Sequence, residues 1–251
     1  MRKLLIIFLL VGLYWYFRNG CSNDHSFWGT MGKIATLQRV TGSGPVQTDM
    51  RRPGDFTAIQ NSISATVEWQ YGPTCQVEVI AQENLIPLIL TTINDGALAI
   101  GSDKNLSSSE QMIIRVTSPQ LKGLHIAGSG GFKANSPIQT PVFDVHIAGS
   151  GSVNASQLSI ESLKLHVAGS GSSELGGLAD KADVHIAGSG EVHGENLMVK
   201  RLNAHVAGSG DVICAVSEFL DASVSGSGSV QYSGNPEVRE HVSGTGSVVK
   251  R

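Results

Sequence analysis

One phrase, His125-Ile126-Ala127-Gly128-Ser129-Gly130, constrains this chain more than any other feature. It returns at His146–Gly151, His166–Gly171, His185–Gly190 and His205–Gly210, with degenerate copies at Ser223–Gly228 and His241–Gly246. The first glycines of the seven triplets lie 21, 20, 19, 20, 18 and 18 residues apart. A repeat of that length is one structural unit that cannot bury its apolar side alone. Successive copies must therefore stack into a solenoid with a continuous core.

Aligning the copies yields the cross-section of one coil. The residues before the histidine are Leu124, Val145, Leu165, Val184, Ala204, Ala222 and Glu240; those after it are Ile126, Ile147, Val167, Ile186, Val206, Val224 and Val242. These columns alternate with the histidines, so they are expected to face inward and the histidines outward. Alternation resumes beyond Gly-Ser-Gly with Phe132, Val153, Ser173, Val192, Val212, Val230 and Val248. Each repeat is thus strand, corner, strand, and glycine suits the corner because it takes positive φ without steric cost. Leu158, Leu163, Leu178, Leu197, Leu202, Phe219 and Val238 are expected to supply a third side. The predicted fold is all-β, a parallel β-helix of about seven Gly-Ser-Gly coils over residues 119–251. Right-handed coiling is expected from the general hand of parallel crossovers.

Residues 34–118 lack the repeat but are rich in strand patterns. Ile63–Gln70 and Cys75–Gln82 alternate about Tyr71-Gly72-Pro73, which predicts a hairpin, and Asn94-Asp95-Gly96 predicts another between Leu88–Ile93 and Ala97–Ile100. This section is expected to join and cover the first coil, protecting its open sheet edge. Residues 34–251 then read as one continuous domain.

The amino end carries Met1-Arg2-Lys3, an apolar run from Leu4 to Phe17, and Arg18. Residues 1–21 read as a signal or membrane-anchor segment and 22–33 as a polar tether, which predicts export with the bulk of the chain outside the membrane. Cys21 follows Gly20 as a lipidated cysteine would, yet Arg18 replaces the usual apolar lipobox residue, so lipidation of Cys21 and an uncleaved anchor both stay open. Three cysteines build no disulfide framework. Cys214 falls in an inward column and is expected to be a buried thiol. With 16% charged residues, a net charge of −3 and no basic stripe, nucleic acid is excluded as the main partner.

Gly54-Asp55-Phe56-Thr57-Ala58-Ile59, Asn84-Leu85-Ile86, Asp95-Gly96-Ala97-Leu98-Ala99-Ile100 and Ser118-Pro119-Gln120-Leu121-Lys122-Gly123-Leu124, opening onto the Ala-Gly-Ser-Gly ladder, carry a family resemblance. Over roughly residues 36–250 the chain resembles the putative auto-transporter adhesin, head GIN domain family. The resemblance implies a bacterial envelope or surface β-helical protein with no agreed biochemical activity. No amphipathic strands of a barrel translocator are read in these residues.

Three ladders could carry chemistry. The first is the outward column of His125, His146, His166, His185, His205 and His241, whose rings would sit ~4.8 Å apart. Such regular parallel rings do not enclose a tetrahedral ion, and no metal or other cofactor is expected. Stacked like charges are expected to depress their pKa values, so that stability falls as pH drops from about 7 towards 5. The second is the outward row Gly123, Asp144, Lys164, Asp183, Asn203, Asp221 and Arg239, in which Lys164 is expected to pair with its neighbours; Glu191 and Asp211 form a similar stacked carboxylate pair. The third is the corner serines, read as hydrogen-bonded structure rather than nucleophiles, because a triad is a single constellation.

The residues leave three functional readings. The first is a non-catalytic, membrane-anchored envelope protein whose repeated face binds a surface, a glycan or another protein. The second is a carbohydrate-active lyase or hydrolase, since β-helices also host these; it would require a unique cluster of acids or bases in a cleft. The third is a structural spacer without a ligand. Oligomeric state is not legible from these residues.

Overall fold

The computed structural model describes residues 38–251; the segments read above as a signal or anchor (1–21, with Cys21) and a tether (22–33), and the first residues of the amino-terminal section, lie outside them. The described chain is built from strands and contains no α-helix. Its repeating part comprises β10 (Gly123–Gly128), β11 (Gly131–Ala134), β12 (Ile138–Gly149), β13 (Ser152–Gly169), β14 (Ser172–Gly188), β15 (Glu191–Gly208), β16 (Asp211–Gly226), β17 (Ser229–Ser233), β18 (Glu237–Gly244) and β19 (Ser247–Lys250), numbered after the nine strands of the amino-terminal section. All their mutual pairings are parallel, and equivalent residues are in register: His146 pairs with His166, His166 with His185, and Gly149 with Gly169. The seven Gly-Ser-Gly corners enclose about six turns of a β-solenoid.

The inward columns are core. Ile147, Val167, Ile186 and Val206 are buried, as are Leu124, Val145, Leu165 and Val184 on the other side of each histidine. Cys214 is buried too, and burial pushes its thiol pKa up to about 12, which makes it inert as a nucleophile at neutral pH. Ser173 replaces valine in the same kind of column; it is fully buried and its hydroxyl has no partner. An orphaned hydroxyl costs about 1–3 kcal/mol relative to an apolar side chain of the same shape.

Glycine is required at the corners for two separate reasons. The first glycine of each triplet has positive φ, from +99° at Gly128 to +129° at Gly208. Its carbonyl accepts the N–H of the serine one coil further on, as in Ser189 to Gly169 and Ser209 to Gly188, both 2.8 Å. Coils therefore approach closely at this point. A Cβ on Gly188 would lie 2.4 Å from the Gly169 oxygen.

Two positions of the third side depart from expectation: Phe219 lies in register with outward Arg201 and under the Arg239 guanidinium, while Leu220 takes the inward place beside Leu202, and Leu178 also turns out. Leu178 is 63% exposed, because Gly177 occupies the level of Leu158 and Leu197. This coil spans only 19 residues between triplets, and the ladder shifts register around Gly176. Ala179 takes the inward place beside Ile160 and Val199, and Leu178 turns outward next to Met198, itself 47% exposed.

The amino-terminal section contains β1 (Arg39–Thr41), β2 (Val46–Arg51), β3 (Ala58–Asn61), β4 (Thr66–Tyr71), β5 (Gln76–Gln82), β6 (Leu90–Asn94), β7 (Ala97–Gly101), β8 (Asn105–Ser107) and β9 (Ile113–Ser118). It covers the first coil by continuing the parallel stack. β3 and β4 lie on β10 and β11, and β7 and β9 lie in turn on β3 and β4. Chain order and layer order thus differ: the outermost layer is built after the one beneath it. The Asp95-Gly96 hairpin forms between β6 and β7, with both turn residues at positive φ. The hairpin expected at Tyr71-Gly72-Pro73 does not form, because β9 lies between β4 and β5, parallel to one and antiparallel to the other.

Candidate functional site

In-register pairing of identical repeats places identical side chains directly above one another, and on the first side this produces a stack of imidazoles. His125, His146, His166, His185 and His205 form a continuous column with ring centroids 4.8, 4.7, 5.0 and 4.8 Å apart and interplanar angles between 4° and 19°. His241 belongs to the same column but not to the stack, since Ser223 stands between it and His205. At the other end Gln60 lies beside His125. The rings pass from half-buried at His125, His146 and His166 to exposed at His185 and His205. Small residues, Ala127, Ala148, Ala168, Ala187 and Ala207, run alongside and leave their outward edge unobstructed.

The charged row beside the ladder is in the expected register, and its contacts run both along strands and between coils. Nε2 of His146 lies 2.9 Å from Oδ1 of Asp144, two residues away on the same face. Asp183 pairs with Lys181 at 3.0 Å and accepts a 2.6 Å hydrogen bond from Asn203 on the next coil. Lys164 makes no ion pair among the described residues, contrary to the expected pairing with Asp144 and Asp183.

Burial and neighbouring rings act together on the ladder. Burial first, then His146, lowers the pKa of His125 from 6.5 to about 4, against the pull of Asp144. His166 is lowered by burial and by His146 and His185, and His185 by burial and by His205. Burial would raise Asp144, but the hydrogen bond from His146 and the charges of His146, His125 and His166 hold its carboxyl below the usual value. The direction matches the sequence expectation, while its leading cause is burial rather than like charge.

Because the unfolded chain takes up protons near pH 6.5 and folded His125 only near 4, the unfolded state binds more protons between those values. Stability is complete above that window and is lost as pH falls through it. The loss attributable to His125 approaches about 3 kcal/mol at the acid end. Melting temperature followed from pH 7.5 to 4 should fall, and His125→Gln should flatten much of the slope. A flat profile in the wild type would show that the stack is too well solvated to couple to folding.

Glu191 and Asp211 are adjacent in register but do not converge on a common point. Glu191 lies 3.2 Å from His193, whereas Asp211 accepts hydrogen bonds from the backbone N–H (2.9 Å) and hydroxyl (2.7 Å) of Ser229 and so braces the next coil. Sequence reasoning missed two other features. One is a polar groove on the second side where His193 sits between Glu191 and Glu195 near Glu174 and Asn154; its signal was a histidine that, alone among those of the described residues, falls outside the ladder column. The other is a groove of about 570 Å³ on the third side, where Pro141, Ile160, Leu178 and Met198 are joined by the charged side chains of Glu161, Asp180 and Lys200. Among the described residues no group of three or more His, Cys, Asp or Glu side chains is placed to hold a metal ion.

The fold and this face define a β-solenoid whose polar groups recur coil after coil. The chain belongs to the family described as putative auto-transporter adhesin, head GIN domain, whose model matches residues 55–236. Among solved structures it is similar to a putative adhesin from Bacteroides fragilis, with 25% identity and a TM-score of 0.79 over 84% of this chain and all of that one. It is also similar to a putative lipid binding protein from Parabacteroides distasonis, with 25% identity and a TM-score of 0.72 over 85% of this chain and all of that one. A putative adhesin from Parabacteroides merdae shares the fold, with 24% identity and a TM-score of 0.67 over 86% of this chain and all of that one. No curated protein matches.

Proposed function

We propose that this chain is a non-catalytic cell-envelope protein that holds a surface ligand, a glycan or an envelope protein, along the histidine face of its solenoid. The observation that carries this reading is the stack of five imidazoles at nearly constant spacing, edged by alanines and open to solvent at its distal end. An enzyme needs one place where titratable groups converge in distinct environments; here one ring is offered at each of five successive coils. The family's name and the adhesin names of similar structures support an envelope role. The charged and then apolar amino end supports export and anchoring.

Repetition makes binding multivalent, so its loss should be graded. Single replacements His146→Ala, His166→Ala or His185→Ala should each weaken binding of the purified protein to isolated envelope material by a few-fold, and the triple replacement by ~10²-fold. A triple variant that binds like wild type would remove the ladder from the reading. Incubation with polysaccharides and peptidoglycan fragments should give no turnover; products that vanish on Glu191→Ala or Asp211→Ala would establish an enzyme instead.

The groove on the third side supports a second reading. Leu178 and Met198 are exposed side by side, with Val142 42% exposed nearby, and one similar structure bears a lipid-binding name. Binding to phospholipid vesicles that disappears in Leu178→Ser/Met198→Ser would favour it over the histidine face.

A further inference from the structure

We propose that the histidine ladder is a proton-gated track for an acidic polysaccharide, closed to it at neutral pH and opened as the stacked rings acquire charge. This rests on the reading of the ladder as the ligand face, and goes further by naming the ligand's chemistry and its control.

The geometry sets the charge problem. Rings 4.7–5.0 Å apart cannot all be protonated without mutual repulsion. At that separation two unit charges repel by about 1 kcal/mol even in bulk water, and by several times that against a protein surface. The carboxylates facing the ladder offset this only in part. Asp144 pairs with His146 at 2.9 Å and its charge also reaches His125 and His166, while Asp183, engaged by Lys181 and Asn203, reaches His185; two carboxylates stand against five rings. Lys164, between those two carboxylates in the same row, adds a further positive charge. Beyond the stack Asp221 faces Arg239 at 4.0 Å, beside the detached His241. The opposite flank is alanine, and Gln60 and Ser223 close the two ends without charge. A fully charged ladder is therefore a line of cations whose missing counter-charge must come from outside the fold. Whatever supplies it favours protonation, and protonation favours it, because the two equilibria are linked.

Spacing selects the polymer. An extended acidic peptide presents same-face carboxylates every two residues, roughly 6.7 Å apart, out of step with the rings. Nucleic acid would meet a molecule of net charge −3 with no basic stripe elsewhere to add to the contact. Successive residues of a 1,4-linked chain of uronic acids are turned about the chain axis, so its same-face carboxylates recur about every second sugar, close to the separation of two coils, and can meet every second ring of the ladder with the sugar faces over the low alanine strip.

The test is affinity against pH for the purified full chain. The probes are polygalacturonate, neutral dextran and poly-glutamate, each at pH 7.5 and 5.5. Polygalacturonate should bind at least tenfold more tightly at pH 5.5, dextran should show no change, and poly-glutamate should bind more weakly than polygalacturonate. His146→Gln/His166→Gln/His185→Gln, which keeps polar side chains that cannot take up a proton in this range, should bring the polygalacturonate ratio close to one. Lys164→Gln should weaken binding equally at both pH values and preserve the ratio. Circular dichroism checks folding at each pH, and the exposed pair His185→Gln/His205→Gln replaces the triple variant should that one unfold. A wild-type ratio near one, a ratio unchanged in the glutamine variants, or poly-glutamate matching polygalacturonate would each overturn the proposal. Ladder-dependent envelope binding at pH 7.5 with no response to acid would remove only the gate; binding indifferent to the ladder at both pH values would remove the ligand face as well.

Discussion

Gly188→Ala is expected to destabilise the protein by about 3–5 kcal/mol, the upper range for a single substitution. Two separable effects combine at this residue. Its φ of +127° is one that L side chains rarely adopt, which alone costs about 1–3 kcal/mol. The new Cβ would also stand 2.4 Å from the Gly169 carbonyl oxygen, the acceptor for the N–H of Ser189. Relief of that clash must either separate two coils or break the corner hydrogen bond. The two effects can be resolved with Gly128, which has a φ of +99° but no atom within 4 Å of the place an added Cβ would take. Gly128→Ala should therefore cost only the strain. Denaturant midpoints for the two variants, at unchanged slope, make the comparison. Equal losses would show that close stacking of the corners adds nothing to stability.

Repetition decides how much of this architecture was legible in the sequence. The inward columns, the outward histidines and the Gly-Ser-Gly corners could be read because each recurs at equivalent points of successive coils, and parallel pairing converts equal sequence position into vertical stacking. Leu178 escaped because alignment by triplets hides a register shift inside a short coil; Gly177 holds the leucine level, and a leucine near the right spacing reads as core whichever way it points. The amino-terminal layers escaped for a different reason. Gln60 takes the histidine row and Asn61 an inward place, where it is buried and bonded to the Ala65 carbonyl at 2.8 Å and to the Ile63 N–H at 3.2 Å. That corner, Ile63-Ser64-Ala65, performs the same task as Gly-Ser-Gly and shares only the serine, Ser64, whose hydroxyl lies 3.4 Å from that of Ser129. Insertion of β9 between β4 and β5 is a long-range choice that no local turn signal encodes.

The candidate face divides along the same line. The histidine column was legible, since one position per repeat was enough to find it. What each ring does there depends on neighbours outside the repeat: Asp144 beside His146, the burial that leads the shift of His125, and Ser223 interrupting the column before His241. Likewise the stacked pair Glu191 and Asp211 was visible as a pair, but its division between His193 and Ser229 depends on which way each carboxylate turns.

Ile147→Asp should cost several kcal/mol and threaten folding, because it buries a carboxylate with no partner in an apolar column. Ile147 is 1% exposed, paired in register with Ile126 and Val167, and its Cγ2 fills the space beneath the corner of the next coil, 2.6 Å from where a Cβ on Gly171 would stand. A charge there disturbs three layers at once. In a solenoid each layer is held by its nearest neighbours, so weakening one coil also loosens the two that rest on it. Val242 provides the internal comparison: it occupies the same column in β18 but is 39% exposed. Val242→Asp can keep its carboxylate hydrated and should cost about 1 kcal/mol or less, within the range of surface substitutions. Urea denaturation of the two variants under identical conditions should therefore separate them widely. An Ile147→Asp protein that remains soluble and melts within a degree or two of wild type would overturn the assignment of that column to the core, and with it the outward facing of the histidines that alternate with it.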